Sequence, residues 1–240
     1  MSDEREAPTP EQAETAHRLT RLQRAMAKTM TQAVTTAALS QVARDIDMSS
    51  VQHDRASAAQ RSSINTYLLA AVATSLVRHP MLNGRLEERA VIVPNQVNLG
   101  IAVSVPDGLV VPIVHGADRL SFAELDNAAS VAANKARNGK LAFPDVEGGT
   151  FTVSNLGMFG IDGGFAIPPP HQGAILLVGR VRDSFVPNDE GSPVLKPMCW
   201  CGLSFDHRFI DGAAAARFLL DIDAALGDAT QLRENLGGTR

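Results

Sequence analysis

The sequence predicts an α/β fold, and two features carry that prediction. Segments with the apolar spacing of helices alternate with runs rich in Val and Ile, and turn residues separate the two kinds of segment. The 240 residues suffice for one large domain or two small ones. Because helices and strands are mixed throughout and no internal repeat divides the chain, one α/β domain is favoured.

Two helices are predicted in the first third of the chain. Apolar residues recur at three- and four-residue intervals over residues 19–34, and Thr20 is a suitable N-cap. Residues 65–78 are apolar on most sides, which is typical of a deeply buried helix. Pro80 stops that helix, since the residue before a proline avoids helical geometry.

Two further helices are predicted in the second half. Ser121 and Glu124 form a capping-box pattern, and Gly139 suits the position just after a helix end. The last predicted helix covers residues 213–226, where alanine and leucine dominate.

The remaining apolar runs are predicted as strands. Residues 97–105 and 109–114 read as a hairpin around the turn Pro106-Asp107-Gly108. Three later apolar runs are also strand-like: 150–154, 174–181 and 193–205.

Composition excludes several classes of protein. A net charge of −4 provides no basic surface for nucleic acid or acidic lipid, and 5% aromatic residues provide no stacking platform. No run approaches the roughly 18 apolar residues of a membrane helix. Residues 1–17 are acidic and polar without a signal-peptide pattern, so we expect a flexible tail, a domain over 18–240 and a cytoplasmic protein. Cys199 and Cys201 are expected to be buried core residues rather than a disulfide or a metal site.

The strongest chemical signal is a histidine at the end of an apolar strand. His207 is followed four residues later by Asp211, and Gly212 then begins the last predicted helix. A single histidine at a strand end is more often structural than catalytic. The neighbouring Asp206 and Arg208 favour a chemical role, since carboxylates and guanidinium groups fix the position of an imidazole.

A second signal is the segment 148–157, GGTFTVSNLG, in which a strand runs into a turn. The hydroxyl of Ser154 has two interpretations that the residues leave open. It either caps the turn, or it faces an oxyanion that develops during a reaction.

Several segments in the same order resemble the catalytic domain of the dihydrolipoyl acyltransferases, which form the cores of 2-oxoacid dehydrogenase complexes. The resemblance covers nearly everything after residue 18. It is carried by INTYLLAAVATSLVRHPMLNG, VNLGIAVSVPDGLVVPIV, KARNGKL, GGTFTVSNLGMFGI, PPHQGAILLVGR and LSFDHRFIDGAAAARFL. It implies the fold of chloramphenicol acetyltransferase, a mixed sheet flanked by helices.

The resemblance also implies roles for individual residues. His207 matches the catalytic general base, Asp211 its partner in the HxxxDG motif, and Ser154 the hydroxyl that binds the tetrahedral intermediate. No metal is expected in this chemistry. Three residues complete the motif as supports: Asp206, Arg208 and Gly212.

Assembly and substrates follow from the same resemblance. The family's active site lies between the subunits of a homotrimer, and coenzyme A and the lipoyl group enter it from opposite ends. Trimers of the family also build larger cages. The residues that contact coenzyme A are not assigned, because the Pro-His pair common in the family is Ala37-Ala38 here.

The lipoyl group is expected to come from another polypeptide, together with the other subunits of such a complex. None of the four lysines follows an aspartate, as the family's lipoylated lysine does: Lys28, Lys135, Lys140 and Lys196. Ser154 in TVSNLG favours an acetyl group and a pyruvate dehydrogenase complex, since succinyl-transferring members often have a threonine there.

Two alternatives remain beside the lipoyl reaction. A stand-alone acyltransferase would pass an acyl group from coenzyme A to a small alcohol or amine. A purely structural core subunit would organise other proteins without needing His207.

Overall fold

The computed structural model describes residues 17–58, 61–106 and 108–236. In those ranges the α-helices are α1 (Arg21–Thr36), α2 (Ser49–Ser57), α3 (Ile64–Arg78), α4 (Phe122–Arg137), α5 (Gly212–Gly227) and α6 (Ala229–Asn235). The strands are β1 (Leu39–Asp47), β2 (Arg85–Glu87), β3 (Ala90–Ile92), β4 (Leu99–Ile101), β5 (Val103–Val105), β6 (Gly108–Val110), β7 (Ile113–Val114), β8 (Phe151–Asn155), β9 (Ala174–Pro187) and β10 (Pro193–Asp206).

A mixed six-stranded sheet organises the molecule. Its strand order is β1-β10-β9-β8-β4-β7, and two short hairpins, β2-β3 and β5-β6, lie outside it. Strands β1, β10 and β9 pair antiparallel, whereas β9, β8 and β4 are parallel. The fold is therefore α/β with a mixed sheet, as predicted.

The helices pack on one face of this sheet, which we call the helix face. Helix α3 is central, because its residues 66–73 are all buried. Helix α5 packs between α3 and strand β1. Phe151 and Val153 of β8 point into the same core, together with Leu203 and Phe205 of β10. Alternate residues of these strands therefore point to the opposite, second face.

A loop over residues 156–173 crosses the second face. The indole of Trp200 lies between two glycines: a Cβ at Gly163 would approach it to 2.7 Å and a Cβ at Gly202 to 2.2 Å. The loop is also held by Gln41 of β1, whose Nε2 donates to the Gly164 carbonyl at 2.9 Å. Close approach of backbone to the ring requires glycine at both positions.

The predicted helices are confirmed to within a few residues. Thr20 begins α1 with a complete capping box, and Ser121 and Glu124 form one at the start of α4. Gly139 follows α4 in a left-handed conformation with φ 63°. These agreements arise because caps and apolar spacing are local properties of the chain.

Strands β1 and β2 and helices α2 and α6 were not predicted from the sequence. Strand β1 reads as polar because it is an edge strand in which only Ile46 is fully buried. Helix α2 buries a single apolar side chain, Val51, and its apolar periodicity is correspondingly weak. Helix α6 has seven residues, fewer than a periodic pattern needs to be read with confidence.

The predicted hairpin of residues 97–105 and 109–114 is correct in its turn region but divided. Val105 pairs with Gly108 in the β5-β6 hairpin, while Leu99 of β4 pairs with Val114 of β7 in the main sheet. Pro112 lies at the division, because it has no N–H to donate to a strand ladder. Asp107 of the predicted turn lies outside the described residues.

Residues 1–16 of the predicted tail also lie outside the described residues, so the tail stays a prediction. Over the ranges that are described, no helix has both the length and the apolar character needed to cross a bilayer.

A buried carboxylate joins three of the helices. Asp54 of α2 is 1% exposed and accepts hydrogen bonds from the Tyr67 hydroxyl of α3 at 2.6 Å and the Thr230 hydroxyl of α6 at 3.0 Å. Arg233 of α6 approaches it to 3.0 Å. Burial, and then the adjacent Asp54 carboxylate, raise the pKa of Tyr67 well above its usual range. The cluster fixes α6 against the core.

We expect Asp54→Ala to lower the free energy of unfolding by about 1–3 kcal/mol, because it leaves the buried Tyr67 hydroxyl without its acceptor. Urea denaturation at a fixed protein concentration measures the change. Asp45→Ala is the matched control, since Asp45 is exposed and such a substitution changes stability by about 0.5 kcal/mol or less. Equal effects of the two substitutions would contradict the role given to the buried cluster.

Candidate active site

The histidine predicted from the sequence directly follows the last residue of β10. It therefore lies where that strand ends, on the side of the sheet formed by strand ends. Its backbone is held on both sides: the His207 N–H donates to the Ala38 carbonyl at 2.8 Å, and the Asp206 N–H donates to the Gly173 carbonyl at 2.9 Å. The imidazole is exposed and lies beside the Phe205 ring, with centroids 5.4 Å apart. A fixed backbone thus presents an accessible imidazole.

An ion pair closes the turn that carries His207. Arg208 donates to both carboxylate oxygens of Asp206, from Nε to Oδ1 at 2.9 Å and from Nη2 to Oδ2 at 2.6 Å. The Ala38 N–H also donates to Oδ1 at 3.3 Å. Burial raises the pKa of the Asp206 carboxyl, but these hydrogen bonds outweigh it and the net pKa lies below its usual value. Asp206 and Arg208 therefore support the turn geometrically.

Asp211 lies at the N-cap of α5. Its Oδ1 accepts a hydrogen bond from the Ala214 N–H at 2.7 Å, and its backbone is extended, as an N-cap requires. Gly212 is the first residue of the helix, and a Cβ there would meet nothing within 4 Å. The structure shows Asp211 as a cap, and its role as the partner of His207 stays a prediction.

Ser154 does not meet His207 within one chain. Ser154 of β8 is in register with Leu177 of β9, which pairs with Gly202 of β10. Gly202 precedes His207 by five positions, which corresponds to roughly 17 Å along a strand. Two strand spacings add about 10 Å sideways. The predicted pair therefore lies roughly 20 Å apart within one chain.

The Ser154 hydroxyl lies on the second face. The preceding residue, Val153, is buried in the helix-face core, so Ser154 points away from the helices. Ser154 is half-buried, and its hydroxyl has no hydrogen-bond partner among the described residues. The structure thus gives no turn-capping contact for this hydroxyl.

Two adjoining cavities lie along the edge that carries His207. The larger has a volume of about 550 Å³ and the smaller about 240 Å³. Helix α1 forms one side of the larger cavity, and Gly149 and Thr150 form part of another. Asp206, Arg208 and Phe209 line the smaller one. Five residues line both cavities and form what we call the shared wall: Arg85, Pro169, Pro170, His171 and Gln172.

Sequence reasoning assigned no role to the shared wall. Nothing in the sequence indicates that Arg85 lies beside its two prolines. His171 has φ 69°, a conformation uncommon for a residue with a side chain. Such a conformation depends on tertiary context and is not readable from a single sequence.

The cysteines behave as core residues. Cys199 and Cys201 are both fully buried without a disulfide, and the Cys199 thiol donates to the Gly179 carbonyl at 3.3 Å. In the described ranges, no three His, Cys, Asp or Glu side chains cluster in a way that would hold a metal ion.

Comparison with known proteins places the chain among its relatives. Residues 11–233 match the family model described as 2-oxoacid dehydrogenases acyltransferase (catalytic domain). The chain belongs to this family. One curated relative is the dihydrolipoyllysine-residue succinyltransferase component of the 2-oxoglutarate dehydrogenase complex of Haemophilus influenzae, 32% identical over 89% of this chain. The corresponding Bacillus subtilis component is 32% identical over 90% of this chain.

The chain spans about half the length of these family members, 54% of each. Solved structures of the family agree over more of their length. The dihydrolipoamide acetyltransferase of Azotobacter vinelandii matches with a TM-score of 0.87 and 28% identity, covering 94% of this chain and 99% of that one. A probable dihydrolipoamide acetyltransferase from Listeria monocytogenes matches with a TM-score of 0.85 and 29% identity, covering 89% of this chain and 94% of that one.

A more distant match confirms the predicted fold type. Chloramphenicol acetyltransferase superposes with a TM-score of 0.56 at 11% identity, covering 79% of this chain and 89% of that one. The family fold is thus shared with that enzyme.

We expect Asp211→Ala to lower the free energy of unfolding by about 0.5–2 kcal/mol, because α5 loses its N-cap acceptor. Asp211→Asn should preserve stability, since asparagine is an equally good N-cap. Thermal and urea unfolding of the two variants, compared with the unsubstituted protein, measure the difference. Equal losses in both variants would show that the negative charge, and not the cap, is what α5 requires.

Proposed function

We propose that this protein transfers an acyl group between coenzyme A and a dihydrolipoyl thiol, with His207 as general base. The observation that carries the proposal is the accessible imidazole on a backbone fixed from two sides, in a chain of the acyltransferase family. In the Azotobacter vinelandii acetyltransferase, a serine, a histidine and an asparagine have been investigated for their role in the catalytic mechanism. That asparagine follows the histidine by four positions, as Asp211 follows His207 here.

The first step is removal of a proton from the attacking thiol. A thiol with a pKa of about 8.5 is only a few per cent thiolate near neutral pH. The His207 imidazole accepts the proton, and the thiolate attacks the thioester carbonyl carbon. When the tetrahedral intermediate collapses, the C–S bond to the other thiolate breaks, and that thiolate takes the proton back from His207. The same base therefore serves both directions.

The second requirement is stabilisation of the negative oxygen in the intermediate. We assign this to Ser154, whose hydroxyl has no partner among the described residues and is therefore free to donate. Since Ser154 and His207 of one chain are far apart, the two must come from neighbouring subunits. A homotrimer with three equivalent interfaces provides such a site at each one.

Both acyl carriers are supplied from outside these residues. Coenzyme A is a substrate, and the lipoyl group is attached outside these 240 residues, since none of their lysines matches a lipoylation site. The named curated relatives transfer succinyl groups and the solved relatives acetyl groups. Assays therefore use acetyl- and succinyl-coenzyme A side by side, which tests the acetyl group expected from Ser154.

The same chain is also proposed as the core of a 2-oxoacid dehydrogenase complex. One structural relative is the cubic core of the pyruvate dehydrogenase multienzyme complex, with a TM-score of 0.87 and 29% identity. Analytical ultracentrifugation distinguishes a bare trimer from a larger cage built of trimers.

His207→Ala should lower acyl transfer to dihydrolipoamide by roughly 10²- to 10⁴-fold, because the thiol loses its general base. The rate is measured with both coenzyme A thioesters. His53→Ala is the control, since His53 is an exposed histidine on α2. Transfer within tenfold of the unsubstituted rate in the His207 variant would exclude the general-base role. If neither protein is active although the oligomer is intact, the acceptor is a different molecule or the subunit is structural.

A mixing experiment tests whether the site spans two subunits. We expect Ser154→Ala to lower kcat by roughly 10²- to 10³-fold, and His207→Ala to be nearly inactive. Co-expressed chains of the two kinds restore up to about a quarter of the sites, because His207 of one chain then meets Ser154 of another. The two variants assembled separately and mixed afterwards are the control. A co-expressed assembly no more active than its components would contradict the intersubunit site.

A further inference from the structure

The shared wall between the two cavities offers hydrogen-bond donors beside the His207 turn. Its polar side chains are Arg85, His171 and Gln172. The Gln172 Oε1 accepts from the Thr152 hydroxyl at 2.7 Å, so its amide NH₂ is the part left to face a ligand. The two prolines of the wall restrict the backbone around these donors.

Arg85 is held close to the turn that carries His207. A Cβ at Gly173 would lie 2.6 Å from the Gly84 carbonyl oxygen and 2.7 Å from Cζ of Phe209. The backbone just before Arg85 therefore packs against the same glycine as the residue two positions after His207. Only glycine at position 173 allows this approach.

Part of the Arg85 guanidinium is unpaired within the described residues. Its Nε donates to Oε1 of Glu87 at 2.7 Å, and within the part of the chain that the structure describes neither Nη has a partner. Glu87 is half-exposed, so solvent screens this pair. The other charged groups lining the smaller cavity, Asp206 and Arg208, bind each other. Within the part of the chain that the structure describes, Arg85 is thus the cation of the shared wall whose two Nη groups remain available to a ligand.

We propose that Arg85 binds the distal carboxylate of the acyl group, so that the preferred thioester is that of a dicarboxylic acid such as succinate. The proposal rests on the proposed acyl transfer. The planar guanidinium fork matches a carboxylate. The acyl carbon reacts at His207, and Arg85 lines the smaller cavity together with Asp206 and Arg208, the residues on either side of that histidine. The phosphates of coenzyme A lie a pantetheine chain away from the reacting sulfur. Under this proposal the acyl group is indicated by Arg85, and not by Ser154, from which an acetyl group was expected.

The test compares kcat/KM for succinyl- and acetyl-coenzyme A. Arg85→Gln should lower the succinyl-to-acetyl ratio on the order of 10- to 100-fold, as expected for a lost hydrogen bond between charged groups. Arg85→Lys, which keeps the charge but loses the fork, should give an intermediate ratio. Arg89→Gln is the matched control, because Arg89 is exposed on the β2-β3 turn, and it should leave the ratio unchanged. An unaltered ratio in Arg85→Gln, or equal losses with both thioesters, would overturn the proposal.

Binding measured by calorimetry separates this proposal from the proposed transfer reaction. The unsubstituted oligomer should bind succinyl-coenzyme A more tightly than acetyl-coenzyme A, and Arg85→Gln should remove that preference. A preference that depends on Arg85 supports the assignment even if dihydrolipoamide is not an acceptor, which would contradict only the proposed reaction. Equal binding of the two thioesters by the unsubstituted protein would reject the role of Arg85.

Discussion

The position of His207 depends on how the end of β10 is held between its two neighbouring strands, β1 and β9. The Ala38 carbonyl, just before β1, accepts from the His207 N–H, and the Gly173 carbonyl, just before β9, accepts from the Asp206 N–H. The side-chain ion pair of Asp206 and Arg208 also holds the turn. These contacts fix the backbone from which the imidazole projects, and under the proposed mechanism a general base must lie within hydrogen-bond reach of the proton that it accepts. Asp211, the N-cap of α5, follows immediately after the turn, so the helix and the sheet together limit the movement of the turn.

The local features of this arrangement were predictable from the sequence, whereas the long-range ones were not. Thr20, Ser121 and Gly139 mark helix ends through their own side chains or backbone, and each acts as predicted. Strand β1 escaped prediction because its place is set by pairing with β10, more than 150 residues later. Arg85 shows the same limit, since only the packing of Gly84 on Gly173 reveals that it lies near the turn that carries His207.

Asp211 caps helix α5 and is also the aspartate of the HxxxDG motif. Its carboxylate is engaged with the Ala214 N–H, so a second oxygen remains for any further contact. A cap at this place fixes the first turn of α5 directly after the turn that carries His207. If Asp211 also serves the proposed reaction, Asp211→Ala lowers stability and activity together. The asparagine variant separates the two effects because it preserves the cap.

The separation of Ser154 from His207 links assembly to chemistry under the proposed mechanism. Strand β8 is short, and alternation along it turns the Ser154 hydroxyl to the face opposite the helices. No rearrangement within the sheet could bring that hydroxyl to the end of β10 without breaking the β9 pairing on both sides. A neighbouring subunit can do so without disturbing any strand, by packing its edge against this second face. Activity then depends on subunit concentration as well as on individual residues, because a dissociated chain lacks half of each site.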